Sequence, residues 1–164
     1  MRVGSALLLI AVAIVLLRPW EELRDGGESG PAAARAYVVR VVDGDTIEAR
    51  FGGRVEDVRL IGVDTPETVK PETPVQCFGP RASRFAHQTL EHRRVRLVFG
   101  VERRDVYGRL LAYVHLGPLF ANAELVRQGL ARTLAIAPNT RFASRFRRLE
   151  LGAARAGRGL WGVC

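Results

Sequence analysis

The chain has 164 residues, 48% of them hydrophobic, and a formal net charge of +8 at pH 7. This length suits one domain of ordinary size plus a short extension and excludes an array of several domains, and the hydrophobic content is enough for a real core. Residues 1–36 hold four arginines and four acidic residues, so the excess charge belongs to residues 37–164. A compact domain that basic is expected to meet polyanions or anionic membrane surfaces.

The N-terminal segment has the pattern of a targeting sequence. Arg2 precedes an uncharged apolar run over residues 3–17, and Arg18 and Trp20 follow it. The run has the length of a long signal-peptide core and is shorter than the roughly 20 residues that cross a bilayer. We therefore expect residues 1–20 to be a signal peptide or membrane anchor, 21–36 a linker and 37–164 a folded domain that lies outside the cytoplasm, membrane-anchored or secreted.

The folded part begins with strand-like alternation. "AYVVRVV", "TIEARF" and "RVEDVRLIGV" are separated by turns at Asp43-Gly44 and Gly52-Gly53, which predicts a three-stranded meander. Helical spacing over 80–92, two strands in "RRVRLVFGV" and "LLAYVHL", and helices near 121–128 and 140–156 follow. The predicted fold class is α+β, a five-stranded OB-fold β-barrel with three helices, preceded by an N-terminal hydrophobic helix and linker.

The chain has two cysteines, Cys77 and Cys164. In an exported protein a single pair often forms a disulfide, which here would join a loop in the middle of the chain to the last residue. Two free buried thiols are the alternative. A zinc site is not expected, because no third ligand lies nearby.

Acidic residues lie at the ends of two predicted strands. Asp45 follows the Asp-Gly turn, and Asp64 and Glu67 lie in "RLIGVDTPET". If the first and third strands are neighbours, Asp45 and Asp64 converge, and two carboxylates with a backbone carbonyl are hard ligands that suit Ca²⁺. Glu67 is then placed to hold a water beside the metal as a general base. The structural alternatives are a plain hairpin turn and the entry to a helix.

Two arginines complete a possible phosphodiesterase site. Arg59 lies five residues before Asp64, and Tyr107 and Arg109 lie in "DVYGRLLAY". Hydrolysis of a phosphodiester needs cations against the charge that develops on the phosphoryl oxygens. Strand alternation puts Arg59 on the face opposite to Asp64 unless the chain bends near Gly62. A solvated strand arginine and an ordinary hairpin tip are the alternatives.

Six segments together resemble the staphylococcal nuclease-like (thermonuclease) domain family. "VVDGDT", "RLIGVDTPET", "FGPRAS", "YGRLLAYV", "NAELVRQGLA" and "GLW" occur in its order and spacing, over about residues 37 to 162. The resemblance implies an OB-fold barrel and Ca²⁺-dependent cleavage of DNA and RNA. It also implies roles for the matching residues: Asp45, Asp64 and the carbonyl of Thr65 on calcium, Glu67 on the attacking water, Arg59 and Arg109 on the phosphate, Tyr107 as a phosphate contact, and Asp43 in support of the loop.

The sequence departs from the best-known members of that family at the substrate end of the site. Val106 replaces a lysine, and "TLAIAPN" offers Ala135 and Ala137 where two tyrosines would stack on a base, with one residue fewer in the stretch. Stacking is worth about 1 to 3 kcal/mol per base. The loop "VKPETPVQC" replaces a lysine-rich one, so substrate positioning is expected to differ.

Two functions of different classes fit these observations. The first is an exported calcium-dependent nuclease that cleaves DNA and RNA with little base selectivity, acts as a monomer and needs no obligate protein partner. The alternative is a non-catalytic OB-fold module that binds nucleic acid or another polyanion at the cell envelope. The acidic set of Asp45, Asp64 and Glu67 favours the nuclease, because uncompensated carboxylates beside a polyanion repel phosphate.

Overall fold

The computed structural model describes residues 32–68 and 74–164 of the chain. Its strands are β1 Ala33–Asp43, β2 Thr46–Phe51, β3 Arg54–Leu60, β4 Val63–Asp64, β5 Arg94–Arg104, β6 Leu110–Leu116, β7 Leu119–Phe120 and β8 Arg132–Thr133. Its helices are α1 Gly79–Leu90, α2 Ala121–Arg127, α3 Ala143–Arg155 and α4 Leu160–Val163.

Five strands form a closed barrel, as predicted. Their order is β3, β2, β1, β5, β6, and a parallel pairing of β3 with β6, in register from Val58 opposite Leu110 to Leu60 opposite Ala112, closes the sheet on itself. Alternate residues such as Val38, Ile47 and Val58 are completely buried and fill the interior. The alternation of apolar and polar residues in the sequence therefore corresponds to the inward and outward faces of these strands.

The first strand begins earlier than its alternation suggests. Residues 33–37 pair with residues 94–98 of β5, so the last four residues of the predicted linker belong to the sheet. The predicted signal peptide or anchor at 1–20 lies outside the described residues. Within residues 32–68 and 74–164, no helix has both the length and the apolar character needed to cross a membrane.

The three predicted helices are present, and a single-turn helix, α4, follows them. Ala82, Ala86 and Leu90 form the buried stripe of α1, and Phe146 is the largest buried side chain of α3. The structure contains the predicted disulfide. It joins Cys77 to Cys164, with 6.0 Å between the Cα atoms and a sequence separation of 87 residues. In the chain-entropy account, closing so long a loop stabilises the fold by on the order of 4 kcal/mol.

Candidate active site

The Asp43-Gly44-Asp45 turn connects β1 to β2 and touches the segment that follows β4. The backbone N–H of Gly44 donates to Asp43 Oδ1 at 2.8 Å. A Cβ atom at Gly44 would lie 2.8 Å from Cγ2 of Thr65, closer than real Cβ contacts. Glycine therefore suits this position, because the Thr65 side chain packs directly against its Cα and leaves no room for a Cβ atom.

Asp45 fastens the turn to that second segment. Its Oδ2 atom accepts hydrogen bonds from the backbone N–H of Thr65 at 2.7 Å and from the Thr65 hydroxyl at 2.9 Å. The same oxygen pairs with the guanidinium of Arg59 at 2.6 Å. Asp45 is only 5% exposed, and its charge is balanced by donors from β3 and from the segment that follows β4.

Arg59 brings the two predicted metal ligands together. Its guanidinium contacts Asp64 Oδ1 at 3.0 Å as well as Asp45. The bend that this requires occurs at Gly62, where φ is +81° and a Cβ atom would lie 2.6 Å from the ring of Phe146. The buried Asn122 side chain holds this bend by donating to the carbonyl of Ile61 at 2.9 Å.

The carboxylate oxygens that surround the Arg59 guanidinium are of the type that binds a calcium ion. Asp45 and Asp64 direct carboxylate oxygens at one cationic group, and the Asp64 side chain is 55% exposed, open to a hydrated ion. Across the described parts of the chain, no three His, Cys, Asp or Glu side chains converge as a metal cluster. A cation bound to Asp45 and Asp64 would take its remaining ligands from carbonyl and water oxygens, which Ca²⁺ accepts.

The predicted general base lies in a loop that Asp43 supports. The Thr68 hydroxyl donates to Asp43 Oδ1 at 2.7 Å, and the backbone N–H of Thr68 donates to Oε1 of Glu67 at 3.0 Å. Gln76 makes two further bonds to the Glu67 backbone, one from its N–H and one to its side-chain oxygen. Burial raises the pKa of Asp43, and the negative charges of Asp45 and Glu67 add to this effect, while the hydrogen bonds from Thr68 and Gly44 oppose it.

Arg109 is held by an acidic residue that the sequence analysis did not single out. Asp105 Oδ2 accepts hydrogen-bonding contacts from Nε and from a terminal nitrogen of Arg109, both at 2.7 Å. Asp105 Oδ1 accepts from the backbone N–H groups of Tyr107 and Arg109, both at 3.0 Å. Burial alone would raise the pKa of Asp105, but these bonds hold it below its ordinary value. The signal in the sequence that could have indicated this role is the position of Asp105, two residues before the hairpin tip, where an aspartate side chain commonly accepts hydrogen bonds from the backbone of the turn.

Arg59, Tyr107 and Arg109 line one cavity of about 330 Å³, and Glu67 is not among its lining residues. The Tyr107 ring is exposed, and Cζ of Arg109 lies 5.3 Å from its centroid. Leu134 and Ile136, both exposed, form an apolar part of the wall of this cavity.

The two alanines that the sequence analysis singled out, Ala135 and Ala137, are not part of this cavity. Neither alanine lines the cavity, and Ala135 faces a different one, beside Tyr113. The stretch before Pro138 has one residue fewer than the resemblance implies, and side chains alternate along an extended chain. In this chain Leu134 and Ile136 face the cavity instead.

Comparisons with known proteins agree with this architecture. The family model described as "Staphylococcal nuclease homologue" matches residues 57–163. The chain is 38% identical to the thermonuclease of Staphylococcus hyicus over 98% of both chains, and 46% identical to that of Staphylococcus intermedius over 86% of both. It is 39% identical to Endonuclease YncB of Bacillus subtilis (strain 168), over 74% of this chain and 59% of that protein. The chain belongs to the staphylococcal nuclease homologue family.

Proposed function

We propose that this protein is a calcium-dependent nuclease that acts outside the cytoplasm on both DNA and RNA. Its family and its similarity to two thermonucleases and an endonuclease support the general activity: it is a nucleic-acid-hydrolysing enzyme. One observation carries the proposed site: Asp45 and Asp64 converge on Arg59, which also lines the cavity that contains Arg109.

Hydrolysis at this site needs a base, a nucleophile and cations. The Glu67 carboxylate takes a proton from a water molecule as the water oxygen bonds to phosphorus. The bond from phosphorus to the leaving sugar oxygen breaks, and that oxygen takes a proton from solvent. The guanidinium groups of Arg59 and Arg109 stabilise the charge that develops on the non-bridging oxygens. Asp105 fixes the Arg109 guanidinium so that it need not reorganise during the reaction.

Calcium would be held by Asp45, Asp64 and the carbonyl of Thr65. When bound, it supplies a Lewis acid at the phosphoryl oxygens. The hard oxygen donors and the exposure of Asp64 support this choice of metal.

Low base selectivity is supported by the cavity wall. Leu134 and Ile136 offer no side-chain donor or acceptor that could read a base edge, and Tyr107 offers a flat ring. Action on both DNA and RNA is proposed because the assigned contacts are to phosphate, and no residue is assigned to the 2′ position of the sugar that distinguishes RNA from DNA.

Action outside the cytoplasm, as a secreted or membrane-anchored protein, is supported by the pattern of residues 1–20 and by the disulfide between Cys77 and Cys164. We further propose that the enzyme acts as a monomer without an obligate protein partner.

The test is hydrolysis of single-stranded DNA in calcium by the full chain and by Glu67→Gln and Arg109→Ala. We expect kcat to fall by about 10²- to 10⁴-fold for the base and by about 10²- to 10³-fold for the arginine. Arg148→Ala, which removes an exposed arginine from α3, is the matched control and should retain wild-type kcat.

Thermal unfolding must show that the variants fold. Binding of DNA without cleavage by the wild-type protein would refute the nuclease and leave a non-catalytic OB-fold module. Wild-type kcat in Glu67→Gln would refute the assigned base.

A further inference from the structure

The outer face of the barrel carries a second concentration of positive charge. Arg35 of β1 lies directly opposite Arg96 of β5, and Tyr37 of β1 lies opposite both Arg50 of β2 and Arg94 of β5. Residues two apart on a strand share a face, so these side chains form two adjacent rows across three strands. All five are exposed, and we call them the arginine face. They line a groove of about 650 Å³.

The arginine face lacks acidic partners. Within residues 32–68 and 74–164, no ion pair joins Arg35, Arg50, Arg94 or Arg96 to a carboxylate. Glu48, which lies two residues before Arg50, is paired with Arg40. Like charges directly opposite each other on a sheet are destabilising. A bound polyanion would relieve this repulsion.

Aromatic rings lie among these charges. The Tyr37 ring, in a residue 38% exposed, stacks on the His92 ring with centroids 6.3 Å apart and planes 20° apart. His115 lines the same groove and stacks on Phe120 at 4.5 Å. Burial lowers the pKa of His115, and the charge of Arg96 adds to this effect, so both favour the neutral ring. Rings interleaved with cations are typical of surfaces that bind single-stranded nucleic acid.

We propose that the arginine face is a second binding site for single-stranded nucleic acid, on which a substrate strand lies while another part of it occupies the candidate active site. Tyr37 and Asp43 lie on the same strand, six residues apart, which corresponds to about 20 Å. The two sites are therefore separate but within reach of one strand. The proposal rests on nucleic acid being the substrate. The rings favour bases over lipid headgroups, because headgroups need only the cations.

The test measures binding without hydrolysis. Full-length protein carrying Glu67→Gln is titrated, in chelator and at several salt concentrations, into labelled oligothymidylate of about 30 nucleotides, longer than one OB-fold site. The triple variant Arg35→Gln/Arg94→Gln/Arg96→Gln should bind about 10- to 100-fold more weakly at about 0.1 M salt, and the slope of log K against log salt should fall by about 2, since each phosphate contact to a single strand contributes about 0.7.

A trinucleotide, too short to reach both sites, provides the comparison. The ratio of long-strand affinity to trinucleotide affinity should fall in the triple variant. Tyr37→Ser should weaken long-strand binding by about 5- to 100-fold through loss of stacking.

The matched control is Arg84→Gln/Arg148→Gln/Arg155→Gln, which removes the same charge from exposed positions on α1 and α3. Its salt slope should stay near that of the parent. Equal losses in the two triple variants would overturn the proposal, because binding would then follow net charge alone.

Anionic lipid is the competing occupant. If the first triple variant keeps its nucleic-acid affinity but loses binding to vesicles of phosphatidylserine and phosphatidylcholine, the proposal is wrong. If that variant fails to fold, oligothymidylate should still protect Arg35 and Arg96 of the parent from phenylglyoxal, and absence of protection would overturn the proposal. Failure of the proposed nuclease function would give a different result: the wild-type protein would not hydrolyse DNA, but the salt slopes of the parent and of the first triple variant would still differ.

Discussion

Asp105→Asn tests whether Arg109 must be held in place. The aspartate makes two contacts of 2.7 Å to the Arg109 guanidinium through Oδ2, and its other oxygen accepts two backbone N–H groups. An asparagine oxygen can keep the backbone bonds and thus the turn. Its NH₂ group then faces the guanidinium donors and cannot accept from them.

The size of the expected loss of kcat follows from these contacts. Hydrogen bonds to charged groups are worth about 1.5 to 3 kcal/mol. If that energy holds Arg109 toward the phosphate in the transition state, kcat should fall by about 10- to 100-fold, while KM changes little.

Initial rates on single-stranded DNA in calcium provide the assay, with circular dichroism to confirm folding. The matched control is Glu124→Gln, which breaks a carboxylate–arginine pair of similar geometry with Arg127 on α2. A kcat of Asp105→Asn equal to that of the control would refute the positioning role.

Three further predictions concern stability and substrate affinity. Glu150 is buried and accepts bonds from the Thr133 N–H and hydroxyl at 2.9 and 2.8 Å, so Glu150→Gln should lower the free energy of unfolding in urea at pH 7 by about 1 to 3 kcal/mol. Burial alone would raise the pKa of Glu150, but these bonds hold it below its ordinary value. The difference in unfolding free energy between wild type and Glu150→Gln should therefore shrink as the pH falls below about 4.3 and through the folded pKa. A difference that does not change with pH would contradict this. Cys164→Ser should cost on the order of 4 kcal/mol, and an unchanged thermal midpoint would contradict the chain-entropy account. Leu134→Tyr with Ile136→Tyr should lower KM for single-stranded DNA by about 5- to 100-fold through stacking, and an unchanged KM would show that this wall does not meet the bases.

The barrel could be predicted because its strands alternate over long runs. Val38, Ile47 and Val58 are buried at the spacing that a half-buried strand requires. Strands β4, β7 and β8 have two residues each, too few for alternation to appear. Residues 33–36 did not appear as strand because their partners in β5 lie about 60 positions away in the chain.

The site could be predicted only in part. The nearness of Asp45 and Asp64 depended on a bend that the sequence could suggest, at Gly62, but not demonstrate. Asn122 and Asp105 were missed because their importance lies in bonds to backbone and guanidinium groups that only the folded chain brings together.

The central claim is most directly tested by titrating calcium into metal-free wild-type protein and Asp64→Asn while following hydrolysis of single-stranded DNA. Our account predicts no hydrolysis in chelator and full recovery on addition of calcium. It also predicts that Asp64→Asn needs at least about 10-fold more calcium for half-maximal rate, because one of two carboxylate ligands loses its charge. Hydrolysis that persists in chelator, or an equal calcium requirement in the two proteins, would contradict the proposed metal site.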